Sequence, residues 1–214
     1  MRKIIALFLA LIMIAASLTG CSGTGSQQTG SDKTITVTDH NGDTVTLPRK
    51  IERIAVCDIL PLPSVLSVFL DSADKIVAMS PSSMSAAENS LLSELYPEIL
   101  NADTSAISGS DVNTEELMKL DPQVVFYNAT STQLGETLRK AGFNAVAISV
   151  NKWNYNCIET LNQWLDLLSQ IFPDEANERA ALVREYSEKS MDLVKERTNS
   201  LDDAERARVF FLFQ

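Results

Sequence analysis

The chain has 214 residues, 45% hydrophobic and 21% charged, and carries a net charge of −10. At roughly 150 residues per domain that is one to two globular domains, which excludes a disordered or collagen-like chain. The acidity argues against a nucleic-acid binder, which needs a basic patch; one His and three Cys exclude most zinc sites and a disulfide framework.

Met1-Arg2-Lys3 is a short cationic start, followed by an unbroken apolar run from Ile4 to Ala16. As a helix that run reaches roughly 20 Å, short of the ~30 Å hydrocarbon core, so it is a signal-peptide segment and not a membrane span. It ends in Leu18-Thr19-Gly20-Cys21. Small residues before a Cys at the cleavage point resemble the lipobox of bacterial lipoproteins. The resemblance implies that Cys21 takes a diacylglyceryl group and becomes a lipid-anchored N-terminus on the extracytoplasmic face of the cell membrane. Two acyl chains supply the second hydrophobic signal that stable anchoring needs. Processing removes Arg2 and Lys3, leaving sixteen cationic against twenty-eight acidic side chains, a net −12. Ser22 to Ser31 holds only Gly, Ser, Thr and Gln, the composition of a flexible tether.

Thr34–Thr38 and Thr44–Leu47 alternate around Asn41-Gly42, which predicts a hairpin ribbon closed by Pro48. A βα rhythm follows. Strands are expected at 53–57, 75–79, 123–127 and 145–150, and helices at 63–70, 87–95, 113–120 and 132–141, the last stopped by Gly142. Asn113 with Glu116, and Asn156 with Glu159, have capping-box spacing. Ile158, Leu161, Leu165, Leu168 and Phe172 form one apolar stripe on a helix from Asn156 to Phe172. Pro173 breaks it, and Asp174 is expected to cap a long, mostly charged surface helix to about Asn199. Apolar strands joined by helices imply a parallel sheet covered on both faces, an α/β fold. Val209 to Phe213 reads as a buried strand in which the chain stops, so a second α/β lobe is expected to follow.

From Thr34 to Gln214 the order of these pieces is similar to the ABC-transporter substrate-binding proteins for iron chelates and vitamin B12. The strongest pieces are Thr38-Asp39…Gly42…Val45…Leu47-Pro48…Arg53-Ile54 and Asn113…Glu115…Leu117…Leu120-Asp121-Pro122. The family usually has Lys-Pro-Asp before the third strand, where this chain has Asp121-Pro122-Gln123. The resemblance implies a signal peptide at 1–20, lipidated Cys and tether at 21–33, and an N-terminal α/β lobe at 34–173. An inter-lobe helix at 174–200 and the start of a truncated second lobe at 201–214 complete it. It also implies a protein that is monomeric when full length and partners an ABC permease and ATPase. There Glu115 stands where the family has a permease-docking carboxylate. A first-turn carboxylate that favours its own helix end is the competing reading of Glu115.

An enzyme is the rival class. His40 reads as a solvated turn residue and not a catalytic base, Ser80-Pro81-Ser82-Ser83 lacks a basic partner, and no nucleophile elbow or phosphate loop occurs. One His does not make a free-metal receptor, so the ligand is expected to be a pre-formed ferric chelate, haem or corrinoid, with no intrinsic cofactor. Cys57 and Cys157 are expected to be buried free thiols, although the compartment permits a disulfide. In open parallel sheets ligands meet the loops after the strands. Those loops nominate Leu60, Ser80, Asn128, Lys152, Trp153 and Tyr155 as ligand-binding. The two aromatic rings offer flat faces with a polar tip, and Lys152 offers charge to a carboxylate or catecholate. Packing of Trp153 beneath the helix from Asn156 is its competing role. A ligand-sensing exported protein coupled to a signalling partner is the alternative function, with an exported hydrolase behind it.

Overall fold

Four short apolar runs make the sheet. In a computed structural model, which describes residues 33–109, 111–174 and 177–210, they are β3 (Ile54–Cys57), β4 (Ile76–Met79), β7 (Val124–Asn128) and β8 (Ala145–Ile148). They pair in parallel in the order β4-β3-β7-β8. The signal segment, Cys21 and the tether lie outside the described residues. No helix among those described is long and apolar enough to cross a membrane.

Side chains alternate across a strand, so each strand feeds two cores. Ile54, Val56, Met79, Phe126 and Ile148 face one side, against α1 (Leu62–Leu70) and α6 (Cys157–Ile171). Ala55, Cys57, Val125, Tyr127 and Ala147 face the other, with Leu117 of α4 (Thr114–Lys119) and Leu134 and Leu138 of α5 (Thr132–Lys140). The result is an α/β layer structure ending in a long helix, α7 (Asn177–Thr198). At 1.5 Å per residue α7 is about 33 Å long. Ala180 is buried, whereas Tyr186, Leu193 and Val194 are exposed, and Arg184 ties it to Asp166 of α6 at 2.6 Å.

The ribbon forms as expected: β1 (Thr34–Thr38) pairs with β2 (Thr44–Pro48), and Gly42 takes a φ of +88° in the turn. Both edges of the parallel sheet are covered. On the β4 edge the backbone of Asp103 exchanges hydrogen bonds with Val77 and Met79. On the β8 edge the ribbon's turn docks. The backbone N–H of His40 donates to Ala147 O at 3.1 Å, and Asp39 Oδ2 accepts the Ala147 N–H at 3.0 Å. The turn thus satisfies groups that an open edge would offer to another chain.

Several expectations need correction. The helix expected over 87–95 is two short ones, α2 (Pro81–Glu88) and α3 (Leu92–Leu95), followed by a 3-10 turn at Pro97–Asn101. Pro81 presets the first turn of α2 and Ser80 Oγ caps it by accepting the Ser83 N–H, a helix start that a serine-rich loop hides. A two-residue ribbon, β5 (Ile107–Ser108) with β6 (Asp111–Val112), had no strand-length signal. Asn113 and Asn156 do cap α4 and α6, but the reciprocal half of each box is absent: Glu116 bonds Lys119 and Glu159 bonds Gln163. Asp174 pairs with Arg49 at 2.7 Å, and the cap of α7 expected there falls next to positions 175 and 176, which lie outside the described residues. On α6 the expected stripe is broader than read: Leu165, Leu168 and Phe172 are buried and Leu161 half-buried, and Thr160, Trp164, Leu167 and Ile171 are buried with them. Val209 and Phe210 are exposed and outside any strand; the rest of the strand expected at 209–213 lies outside the described residues.

Candidate functional site

Because the four strands are parallel, their following loops gather at one edge. The chain runs from β3 outward to β4 and then crosses back to β7, so the strand order reverses between β3 and β7. In doubly wound sheets such a reversal opens a crevice where ligands settle. Asp58 stands there in the left-handed region with a φ of +56°, and its Oδ2 is 3.5 Å from Ser131 Oγ of the β7–α5 loop. Ser83 Oγ donates to Leu60 O at 3.4 Å and joins the first turn of α2 to the β3–α1 loop.

The nominated residues occupy this edge differently. Leu60 is 53% exposed and Tyr155 79% exposed, so both present apolar surface outward. Ser80 is buried, with its hydroxyl held by Ser82, Ser83 and the cap of α2. Asn128 turns inward on its own loop, its Oδ1 accepting from Thr130 N and Oγ1. Trp153 is half-buried against the core beside α6, so the packing role expected for it is present together with its place at the edge. Lys152 Nζ lies 6.0 Å from the Trp153 ring centre and donates to His40 O at 2.8 Å.

Asn154 and Tyr155 are consecutive residues at positive φ, +52° and +58°. The left-handed region costs a non-glycine residue about 1–2 kcal/mol, and such strain persists only where the surroundings impose it. Tyr155 also rims a cavity of about 310 Å³ between the β3–α1 loop and α6, lined with Pro61, Val65, Cys157, Leu161 and Trp164. Thr160 lines it too, and its buried Oγ1 has no hydrogen-bond partner. Asp58 and Pro61 lie in the loop after the first sheet strand that the fold rule points to, whereas sequence reasoning missed Thr160 and Trp164 as members of this edge. The strand order that creates the crevice is a long-range property, and Thr160 and Trp164 lie one turn apart on α6, off the apolar stripe read from the sequence.

His40 is not a solvated turn residue. The Ser149 N–H donates to its Nδ1 at 3.0 Å, which places the ring proton on Nε2, 3.4 Å from Gln163 O. Its ring meets Trp153 edge-on at 5.0 Å. Burial, chiefly, lowers its pKa from the ordinary 6.5, and Lys152 adds to the lowering. Both described cysteines are free, but only Cys57 is buried; Cys157 is exposed at the start of α6, contrary to expectation. Burial first, then Asp58, pushes the Cys57 thiol up to about 12, so it is an inert core group. Among the described residues no three His, Cys, Asp or Glu gather as a metal site.

This architecture has solved counterparts. A periplasmic solute binding protein from Veillonella parvula is 28% identical with a TM-score of 0.69, over 79% of this chain and 50% of that one. The fold is that of periplasmic solute-binding proteins. The molybdate periplasmic binding protein MolA of a Haemophilus influenzae ABC transporter matches at 22% identity and a TM-score of 0.67, over 81% of this chain and 56% of that one. The siderophore binding protein BauB, bound to two molecules of acinetobactin and ferric iron, matches at 18% identity and a TM-score of 0.59, over 78% and 55%. The chain therefore spans about half the length of the solved structures it resembles. No family model and no curated sequence matches it.

Proposed function

We propose that this chain is one wall of the ligand cleft of an exported solute-binding protein that captures a ferric chelate, haem or corrinoid and delivers it to an ABC permease. The observation that carries the reading is the edge itself. Four loops converge beyond a strand-order reversal, and they present Leu60, Trp153 and a strained, outward Tyr155 beside one lysine. Flat apolar faces with a single cation suit a large anionic chelate better than a small oxyanion, which needs a ring of convergent donors. The facing wall belongs to the half of such a molecule that this chain does not span.

Titration of the chain with hemin, a ferric tris-catecholate, cobalamin and molybdate tests this through tryptophan quenching. We expect weak binding of at least one of the first three, since one wall offsets the entropic cost of association with little burial. Trp153→Leu and Tyr155→Ser should each weaken it about tenfold. Binding of molybdate alone, or quenching untouched by both substitutions, sinks the reading.

Two further parts of the proposal concern placement. Cys21 is the lipid attachment point, so Cys21→Ala should leave the protein unprocessed or released to the medium. A mass spectrum showing an unmodified Cys21 in the membrane-bound wild type would overturn this. Glu115 is exposed on the first turn of α4, its side chain in no ion pair that competes for it among the described residues, and serves as the permease-facing carboxylate. In the intact transport system Glu115→Ala should cut uptake several-fold at unchanged ligand affinity; unchanged uptake leaves Glu115 a helix-end charge only.

A further inference from the structure

The loop that carries Lys152, Trp153 and Tyr155 is held at its start by Trp164 of α6, whose indole N–H donates to Ser149 O at 2.7 Å, and along its length by one residue of a distant element. Three contacts reach it from His40 in the ribbon turn. The ring Nδ1 accepts the Ser149 N–H at 3.0 Å, the ring edge meets Trp153 at 5.0 Å, and the backbone carbonyl accepts from Lys152 Nζ at 2.8 Å. The opposite ring nitrogen rests on Gln163 O of α6 at 3.4 Å. His40 thus sits where the ribbon turn, the loop and α6 meet.

We propose that His40 is the positioning residue that pins the Ser149–Tyr155 loop in its ligand-facing shape, and that protonation of its ring unpins it. The consequence for binding rests on the reading of this loop as ligand wall; the pin itself does not. A proton on Nδ1 would point N–H at N–H, turning the bond to Ser149 into a repulsion. It would also set an imidazolium near the Lys152 ammonium. The charged groups facing the ring do not offset this. Asp39, from the same turn, has its carboxylate occupied by the N–H groups of Asn41, Asp43 and Ala147. From the loop comes Lys152, and α6 presents the Gln163 carbonyl, with Glu159 held by the Gln163 side chain. The ring's preference for the neutral state agrees with this environment. The sign follows: with a lowered folded-state value, the pin is fully present above 6.5 and is lost as pH falls below it.

The test follows the full chain, labelled with nitrogen-15 and free of ligand, from about pH 7.5 to pH 4.5. The imidazole signals should show the Nε2–H tautomer at high pH and titrate below 6.5. The Ser149 amide and the Trp153 indole should shift with the same midpoint, and amide protection at Ser149 should fall about tenfold, the weight of one hydrogen bond. His40→Asn keeps an acceptor near the Nδ1 position and does not titrate, so its loop should stay pinned throughout. His40→Phe keeps the ring edge without the acceptor, so its loop should be loose at every pH. A His40 titration that leaves Ser149–Tyr155 unmoved overturns the proposal, and so does a His40→Asn loop that titrates like the wild type. The wild-type titration decides this even if a variant fails to fold. Hemin or ferric tris-catecholate should then bind about tenfold more weakly at the lower pH in the wild type and equally at both in His40→Asn. If the loop follows His40 but neither probe binds, the pin stands and the ligand-wall reading falls.

Discussion

Asp39→Ala is expected to destabilise the protein by about 3 kcal/mol, although Asp39 lies in a surface turn by sequence. Its buried carboxylate accepts three backbone N–H groups: Asn41 and Asp43 on Oδ1, both at 2.9 Å, and Ala147 on Oδ2. Removing it orphans donors on both sides of the ribbon–sheet contact, and a buried orphan costs more than a hydrogen bond returns. Asn should do roughly half the damage. Its carbonyl oxygen serves the turn, but its amide then meets the Ala147 N–H. Urea unfolding of the three proteins measures this. Equal stability of wild type and Asp39→Ala would show that the turn does not hold the β8 edge. Asp39→Ala should also self-associate in light scattering, because that edge is then open.

The second large effect is at Gly135, which sits inside α5 at ordinary helical φ. Helix propensity alone predicts that Ala there stabilises by about 1 kcal/mol. The structure predicts the opposite sign. A Cβ on Gly135 would lie 2.5 Å from the Tyr127 Cε2 and hydroxyl. Tyr127 has no room to yield: it is fully buried in β7, and its hydroxyl accepts from Arg139 Nη1 at 3.0 Å. Arg139 also lies over the ring, 5.7 Å from its centre. We expect Gly135→Ala to lose about 3 kcal/mol, the upper end for overpacking. In a Tyr127→Leu background the same change should cost far less, a coupling of about 2 kcal/mol between contacting residues. Additive losses in that double-mutant cycle would refute the close-approach account.

Local signals were legible wherever a pattern and a punctuation residue agreed. Asn41-Gly42 marked the ribbon turn, and Asn156 before an apolar stripe marked the start of α6 within one residue. The runs around 54–57, 124–128 and 145–148 were too apolar to be edge-facing on either side, and they form the buried sheet. Legibility failed where a residue's partner is far away in sequence. His40 looks solvated among Asp39, Asn41 and Gly42, and its burial comes from Ser149, Trp153 and Gln163, more than a hundred positions on. The choice by Glu116 and Glu159 of Lys119 and Gln163, one turn on, over their capping boxes failed for the opposite reason: two local partners compete, and spacing does not rank them. At the candidate site, the exposed Tyr155 was readable as such, but the 310 Å³ cavity depends on how α1 and α6 lean together. No window of sequence carries that.

The docked turn also sets an order of events during synthesis. The Asp39 carboxylate and the Ala147 amide are 108 residues apart in the chain. At roughly 5–20 residues per second, the ribbon waits on the order of 5–20 s for the strand it closes. Throughout that interval the ribbon has only itself to pair with, and a two-stranded hairpin is marginal alone. Once β8 forms on β7, its outer edge stays open until the first-made segment returns. A chaperone that delays folding until the chain has passed residue 149 would shorten the time this edge is exposed. Loss of residues 34–48 would make that exposure permanent.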